Sequence, residues 1–276
     1  MLLLIGTLIG LVLGLTGAGG SVFAVPLLML LAGIPMSSAV GISLGAVAVS
    51  TFYGSLRSFF SKNRSQNILW LPGVILAGVG ALTAPLGKWL GLQIPEFWLL
   101  IGFNVLALVI AIRMWLSARK NPDAAKVVRA GNFASTPNPG LLCNLSKTGQ
   151  FELRPRCVSG LLIGGALVGL LSGLFGVGGG FLIVPLLLIL SPVSMAQAVS
   201  TSLLIIAVVS SSGFISHLFM STENNWPMFA LVAAGGVLGM MLGQAISHKI
   251  ANALLQKIFA VSLLAVSVLT LVRSVL

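Results

Sequence analysis

Gly173-Leu174-Phe175-Gly176-Val177-Gly178-Gly179-Gly180 interrupts a long apolar run and leads into Phe181-Leu182-Ile183-Val184-Pro185-Leu186-Leu187. The stretch decides the fold because it occurs twice. A shift of 159 positions towards the N-terminus lands on Gly14-Leu15-Thr16-Gly17-Ala18-Gly19-Gly20-Ser21, followed without a gap by Val22-Phe23-Ala24-Val25-Pro26-Leu27-Leu28. Gly14, Gly17, Gly19, Gly20 and Pro26 fall on Gly173, Gly176, Gly178, Gly179 and Pro185. The same shift sets Ala39-Val40-Gly41-Ile42-Ser43-Leu44 against Ala198-Val199-Ser200-Thr201-Ser202-Leu203. The chain is an internal duplication, and both copies carry the glycine break.

Composition says where such a chain lives. Of 276 residues, 57% are hydrophobic and 7% charged, with a mean hydropathy of +1.11; a water-soluble core cannot use that much apolar surface, so the chain reads as a polytopic membrane protein. The formal charge of +11 comes from 15 Lys and Arg against 4 Asp and Glu. In a soluble protein that excess would suggest nucleic acid. Here the bases sit between apolar runs, which points to membrane topology and contact with anionic lipid head groups, and no nucleic-acid partner is expected. Residues 1–15 lack the basic n-region of a signal peptide and match the start of the second copy, so they read as mature structure. Cys143 and Cys157 have no metal-type spacing, and a disulfide between them is not expected on a reducing side of the membrane.

About 20 apolar residues cross a bilayer, and the runs on either side of each glycine break are shorter. Residues 2–13 and 22–31 therefore read as a hairpin of half-helices, followed by full spans at 38–60, 68–90 and 97–116. Residues 158–171 and 181–190 repeat the hairpin, and spans follow at 196–218, 227–247 and 251–272. The fold class is thus all-α and polytopic, with two inverted repeats, each a glycine-broken helical hairpin plus three transmembrane helices. In domain terms this is a first membrane repeat at 1–116, a basic linker at 117–157 and a second membrane repeat at 158–276. The linker is rich in Asn, Pro, Gly and Ser and reads as a solvated connection; a regulatory or partner-binding loop is the other reading.

Inversion follows from charge. Lys and Arg cluster at 61–67, in the linker and at 248–257, whereas Ser221-Thr222-Glu223-Asn224-Asn225 has none. The three basic segments share the cytoplasmic side only if each broken hairpin enters and leaves by one face. Three full crossings per half then turn the second repeat over.

Backbone that is not helical at membrane depth is tolerated only where protein or a cavity surrounds it. After each break a new helix begins, so unpaired N–H groups and a positive dipole end meet at one spot. That is an anion site in outline, and two of them from related repeats would converge near the midplane. Gly17, Ala18, Gly19, Gly20 and Ser21 from the first break and Gly176, Val177, Gly178, Gly179 and Gly180 from the second are the expected substrate contacts. Thr16, Ser21 and Ser43 in the first half and Ser172, Ser200, Thr201 and Ser202 in the second supply nearby hydroxyls, though any one of these equally serves helix packing. Glu96, Asp123, Glu152 and Glu223 all lie in turns or the linker, so the spans contain no carboxylate with which to pair a cation.

Arg57 and Lys88 near span ends fit snorkelling to the interface, with gating as the alternative. Gln244 and Asn104 lie deeper, lining a path or joining helices. His217 is a candidate proton relay against the commoner role of an interfacial histidine. No metal constellation, cofactor site, nucleotide-binding loop or catalytic triad is present in the pattern, which argues against an enzyme.

These residues, Gly14 to Pro26, Gly173 to Pro185 and Ala198-Val199-Ser200-Thr201-Ser202, resemble the sulfite exporter TauE/SafE family. The likeness extends over nearly the whole chain, with Ser21 in place of the third consecutive glycine. It implies transport, usually outward, of a small sulfur oxyanion such as sulfite or an organosulfonate across the bacterial inner membrane. An anion channel, or an assembly or regulatory partner acting through the linker, is the alternative. Oligomeric state is not readable.

Overall fold

The computed structural model describes residues 1–16, 20–60, 69–120, 144–145, 151–152, 155–190, 195–220 and 225–246, with isolated positions 261, 264, 265 and 269. Nine helices stand among them. They are α1 (Leu2–Thr16), α2 (Ala24–Ala32), α3 (Met36–Phe60), α4 (Trp70–Gln93), α5 (Glu96–Lys120), α6 (Pro155–Phe175), α7 (Gly180–Leu190), α8 (Met195–Met220) and α9 (Trp226–Ile246). A short 3-10 segment, Gly20–Phe23, leads into α2. The expected last span at 251–272 falls almost wholly outside the described residues.

Local chemistry sets the helix ends. Gly33 takes φ +66°, a left-handed turn, and its N–H closes α2 on the Met29 carbonyl. Pro35 then precedes α3, whose first free N–H, that of Met36, donates to the Glu96 carboxylate at 2.8 Å. The linker is not featureless, for Asn144–Leu145 and Phe151–Glu152 pair as a two-stranded antiparallel ladder. Cys157, fully buried at the start of α6, is disulfide-bonded. That corrects the expectation of a reduced thiol there.

Five helices have the length and apolar character to cross a membrane, namely Met36–Phe59, Trp70–Gln93, Cys157–Phe175, Gln197–Met220 and Trp226–Ile246. α6 is among them. The second broken unit therefore has a longer first arm than the 158–171 expected, because Pro155 starts the helix well inside the linker and the helix persists through Gly173 to Phe175. Large apolar side chains such as Leu82 and Phe219, 77% and 87% exposed, cover the outward faces as lipid contact demands.

Helix directions follow from the glycines. Gly6, Gly10 and Gly14 of α1 lie against Val232, Gly236 and Met240 of α9, so the two run the same way. Gly165, Gly169 and Gly173 of α6 lie against Leu76, Gly80 and Ala84 of α4, again parallel. α3 and α8 instead run oppositely, with Gly41 against His217, Gly45 against Phe214 and Gly54 against Leu203. Chain ends sort accordingly. α1 starts and α2 ends at the end of the bundle where α3 begins, whereas α6 starts and α7 ends where α3 finishes. Each glycine-broken hairpin thus enters and returns at one end, and the two use opposite ends.

The parallel pairs touch backbone to backbone. A methyl built on Gly14 would stand 2.7 Å from the Met240 carbonyl oxygen, and one on Gly173 only 2.8 Å from the Lys88 nitrogen. Small residues every fourth position are what lets membrane helices approach this closely, since lipid supplies no hydrophobic drive between them. Gly173→Val is expected to force α4 and α6 apart at a cost of about 1–3 kcal/mol. Gly78, which faces open space, is the control, and Gly78→Ala gains about 0.5–1 kcal/mol of helix propensity. Thermal unfolding of both variants in detergent checks the pair, and equal melting temperatures would contradict the packing described.

Candidate functional site

The second break is enclosed by protein. Gly176 ends α6, its N–H on the Ser172 carbonyl at 2.9 Å, and Gly176, Gly178 and Gly179 take φ of +69°, +67° and +69°. Only glycine holds such a run without strain. α7 starts at Gly180, where Leu182 N–H donates to the Gly179 carbonyl at 3.0 Å. Among the described residues the N–H groups of Val177, Gly178 and Gly179 find no backbone acceptor. All of Gly176 to Gly180 are buried.

Three helices form the walls. A methyl on Gly176 would meet Val40 Cα of α3 at 2.8 Å and Val25 of α2 at 3.0 Å, and one on Gly178 would meet Ser210 Oγ of α8 at 3.0 Å and Val47 of α3 at 3.1 Å. Ser43 Oγ donates to the Gly176 carbonyl at 2.7 Å. It holds the tip in place while its own lone pairs remain available.

Of the first break, Gly17, Ala18 and Gly19 lie outside the described residues. Gly20 packs on the α1 backbone at Val12 and Leu13, Ser21 is fully buried, and this 3-10 segment touches α7. The described part of the first break, Gly20–Phe23, therefore neighbours the helix that follows the second.

The hydroxyls separate into two kinds. Ser202 Oγ donates back to Val199 at 2.8 Å, and Thr201 Oγ1 accepts from Leu69 N–H at 3.0 Å, capping the start of α4. With Ser200, also buried, they sit about two turns from Ser210 towards the start of α8. Thr201 thereby joins α8 to α4, while Ser202 bonds back within its own helix. By contrast the buried hydroxyls of Ser21, Ser172 and Ser210 have no hydrogen-bond partner among the described residues. Ser172 and Ser210 flank the second break; Ser172 is among the hydroxyls expected from the sequence, and Ser210 is not. An unsatisfied buried hydroxyl costs about 1–3 kcal/mol, so three around the breaks require an account.

The remaining polar residues lie towards the ends. Arg57 is exposed near the end of α3, as snorkelling requires. Lys88 is not a snorkelling residue. It is 3% exposed, and its Nζ donates to the Ser37 carbonyl at 3.1 Å. His217 is 7% exposed with its ring over Gly41. Gln244 is half-buried and reaches towards Gly54, and Asn104 donates back to the Leu100 carbonyl at 2.8 Å. No group of three His, Cys, Asp or Glu able to hold a metal occurs among the described residues.

Comparison with known proteins agrees with this architecture. The family model described as Sulfite exporter TauE/SafE matches residues 2–270. A probable membrane transporter protein of Xylella fastidiosa is 31% identical over 273 residues, covering 98% of this chain and 93% of the relative. Bacillus subtilis YdhB, also a probable membrane transporter protein, is 29% identical over 91% of this chain and 90% of its own. MJ0441 of Methanocaldococcus jannaschii, named likewise, is 26% identical over 91% and 86%. No solved structure matches. With most of its length in the family model and a near-complete relative above 30% identity, the chain belongs to the TauE/SafE sulfite exporter family of membrane transporter proteins.

Proposed function

We propose that the protein is a secondary carrier exporting a small sulfur oxyanion, such as sulfite or an organosulfonate, which binds at the midplane between the two glycine breaks. The single observation that carries the reading is the second break itself. Amides of Val177, Gly178 and Gly179 without backbone acceptors stand beside partnerless hydroxyls of Ser172 and Ser210 at the start of a helix, where the backbone dipole favours negative charge. An oxyanion satisfies all of these donors at once. The family description and the names of the relatives support transport, and sulfite comes from that description.

The helix directions support two inverted repeats, 1–116 and 158–276. α3 and α8 occupy equivalent places in the duplication and run oppositely, which fits a pseudo-two-fold axis in the membrane plane. The contact of Gly54 with Leu203 has its mirror in Gly213 with Leu44, each residue displaced by 159 positions. The second break is enclosed, and Gly20 and Ser21 after the first are buried, which suits an occluded state; release then requires one hairpin to shift against the α3–α8 pair. An inside-negative potential favours anion exit, worth about 2.3 kcal/mol per charge per 100 mV, so no coupling ion is needed for export.

Placement of residues 117–157 in the cytoplasm of a bacterial inner membrane rests on the bases of the sequence, Arg57, Lys62, Arg64, Lys249 and Lys257 among them, which the positive-inside rule assigns to the linker's side. The disulfide at Cys157 points the other way, because cytosolic thiols stay reduced. Basic residues on three segments outweigh one cystine. Trypsin therefore cleaves the linker in inverted membrane vesicles and spares it in right-side-out ones; the opposite pattern reverses the orientation.

Two further outcomes test the site. Reconstituted vesicles should show saturable sulfite flux that falls at least about tenfold in Gly178→Ala, whose methyl would enter the space before Ser210; tenfold is 1.4 kcal/mol. Flux without saturation would favour a channel, and no oxyanion flux would sink the carrier. Ser210→Ala should raise the melting temperature without anion, since it removes an orphaned hydroxyl worth about 1–3 kcal/mol, while weakening sulfite affinity. A fall in both would make Ser210 a packing residue.

A further inference from the structure

At the opposite end of α3 from the linker a second cluster forms, about one helical turn from the second break, whose Gly176 packs on Val40. Lys88 of α4, buried, donates from Nζ to Ser37. One turn along α3, Gly41 leaves room for the imidazole of His217 from α8; any Cβ at Gly41 would collide with the ring at Nε2, Cδ2 and Cε1. The two basic side chains thus converge on one stretch of α3 from different helices and lie within electrostatic reach of each other. A small cavity opens beside His217, lined by Ile42, Phe214, Asn225, Trp226 and Phe229.

The cluster holds one ammonium, and the Glu96 carboxylate caps the positive end of α3 beside it. Glu96 is the only acid in the described helices, and its carboxylate is engaged by Met36 N–H. Lys88 uses one of three N–H donors on a neutral carbonyl. A buried ammonium without a counter-charge costs several kcal/mol, and a purely structural role would be filled more cheaply by the amide that the duplication puts at the equivalent place. There Gln244 contacts Gly14 as Lys88 contacts Gly173.

We propose that Lys88 and His217, gathered on Ser37 and Gly41, form a second anion site, at which a small oxyanion docks at the end of the bundle away from the linker. The inference rests on the anion-carrier reading and adds a station to it. Lys88 supplies the charge. Gly41 supplies the space, and the cavity beside His217 is the mouth.

The test is equilibrium binding of radiolabelled sulfite to the whole purified protein in nanodiscs, with thiosulfate and chloride as competitors. Lys88→Gln and Lys88→Met should each weaken the site by about tenfold or more, Lys88→Arg should restore it, and Gly41→Leu should abolish it by displacing the imidazole. Circular dichroism on the same samples shows whether each variant folds, and Lys88→Arg carries the test if the neutral variants do not. Neutral variants that bind as the parent does would overturn the site, as would a parent that binds none of the three anions. Lys88-dependent binding without any flux in vesicles would leave the site standing and remove the carrier; normal flux with binding indifferent to Lys88 would do the reverse.

Discussion

Along α1 and α6 a glycine recurs every fourth residue where the helix meets α9 or α4, and at each one the facing backbone comes close, with Val79 and Thr83 side chains also packing at Gly165 and Gly169. Everything else in the bundle depends on that contact. In lipid, helices gain nothing by hiding apolar surface from one another, so close van der Waals approach is what holds them. The two glycine-lined pairs run from one half of the duplication to the other, which locks each broken hairpin to the far repeat. Because the second hairpin is anchored along its first arm, its tip is carried to a fixed place beside α3 and α8.

That tip then faces the polar accounting that a membrane imposes. Backbone freed from a helix must find partners within protein, and part of it does, through Ser172, Ser43 and the first turn of α7. The amides of Val177 to Gly179 and the hydroxyls of Ser172 and Ser210 are left over. Donors that remain after a fold has settled its own needs suit a ligand that accepts, and on them the proposed anion site rests. The sign of that partner is set by the spans, in which the described helices hold a single acid at a helix start.

Most of the architecture was legible before any coordinates. The gap-free duplication located both breaks, and apolar runs located the helices within a few residues. α6 reached further than expected because nothing in Pro155-Arg156-Cys157 stops a helix, proline being well suited to a first turn. Burial was harder to read. Spans that are apolar on every side have no periodic face, so neither the inward turn of Lys88 nor the outward one of Arg57 could be told from spacing. The packing stripes at Gly6, Gly10 and Gly14 stood in plain view at four-residue intervals but were overshadowed by the denser glycines beside them. Ser210 escaped because hydroxyls in apolar helices ordinarily bond back to their own turn, as Ser50 and Thr51 do. Thr201, prominent in the duplicated motif, proved to cap a neighbouring helix.

The central claim is that the kinked tips hold the transported anion. A cryo-electron microscopy structure in lipid, determined with saturating sulfite, tests it most directly. The account predicts density within hydrogen-bond reach of the Gly178 amide and the Ser210 hydroxyl, with the neighbouring 3-10 segment of the first half closing over it. An unchanged, empty turn at Gly176 to Gly179, with the anion bound only elsewhere, would contradict it.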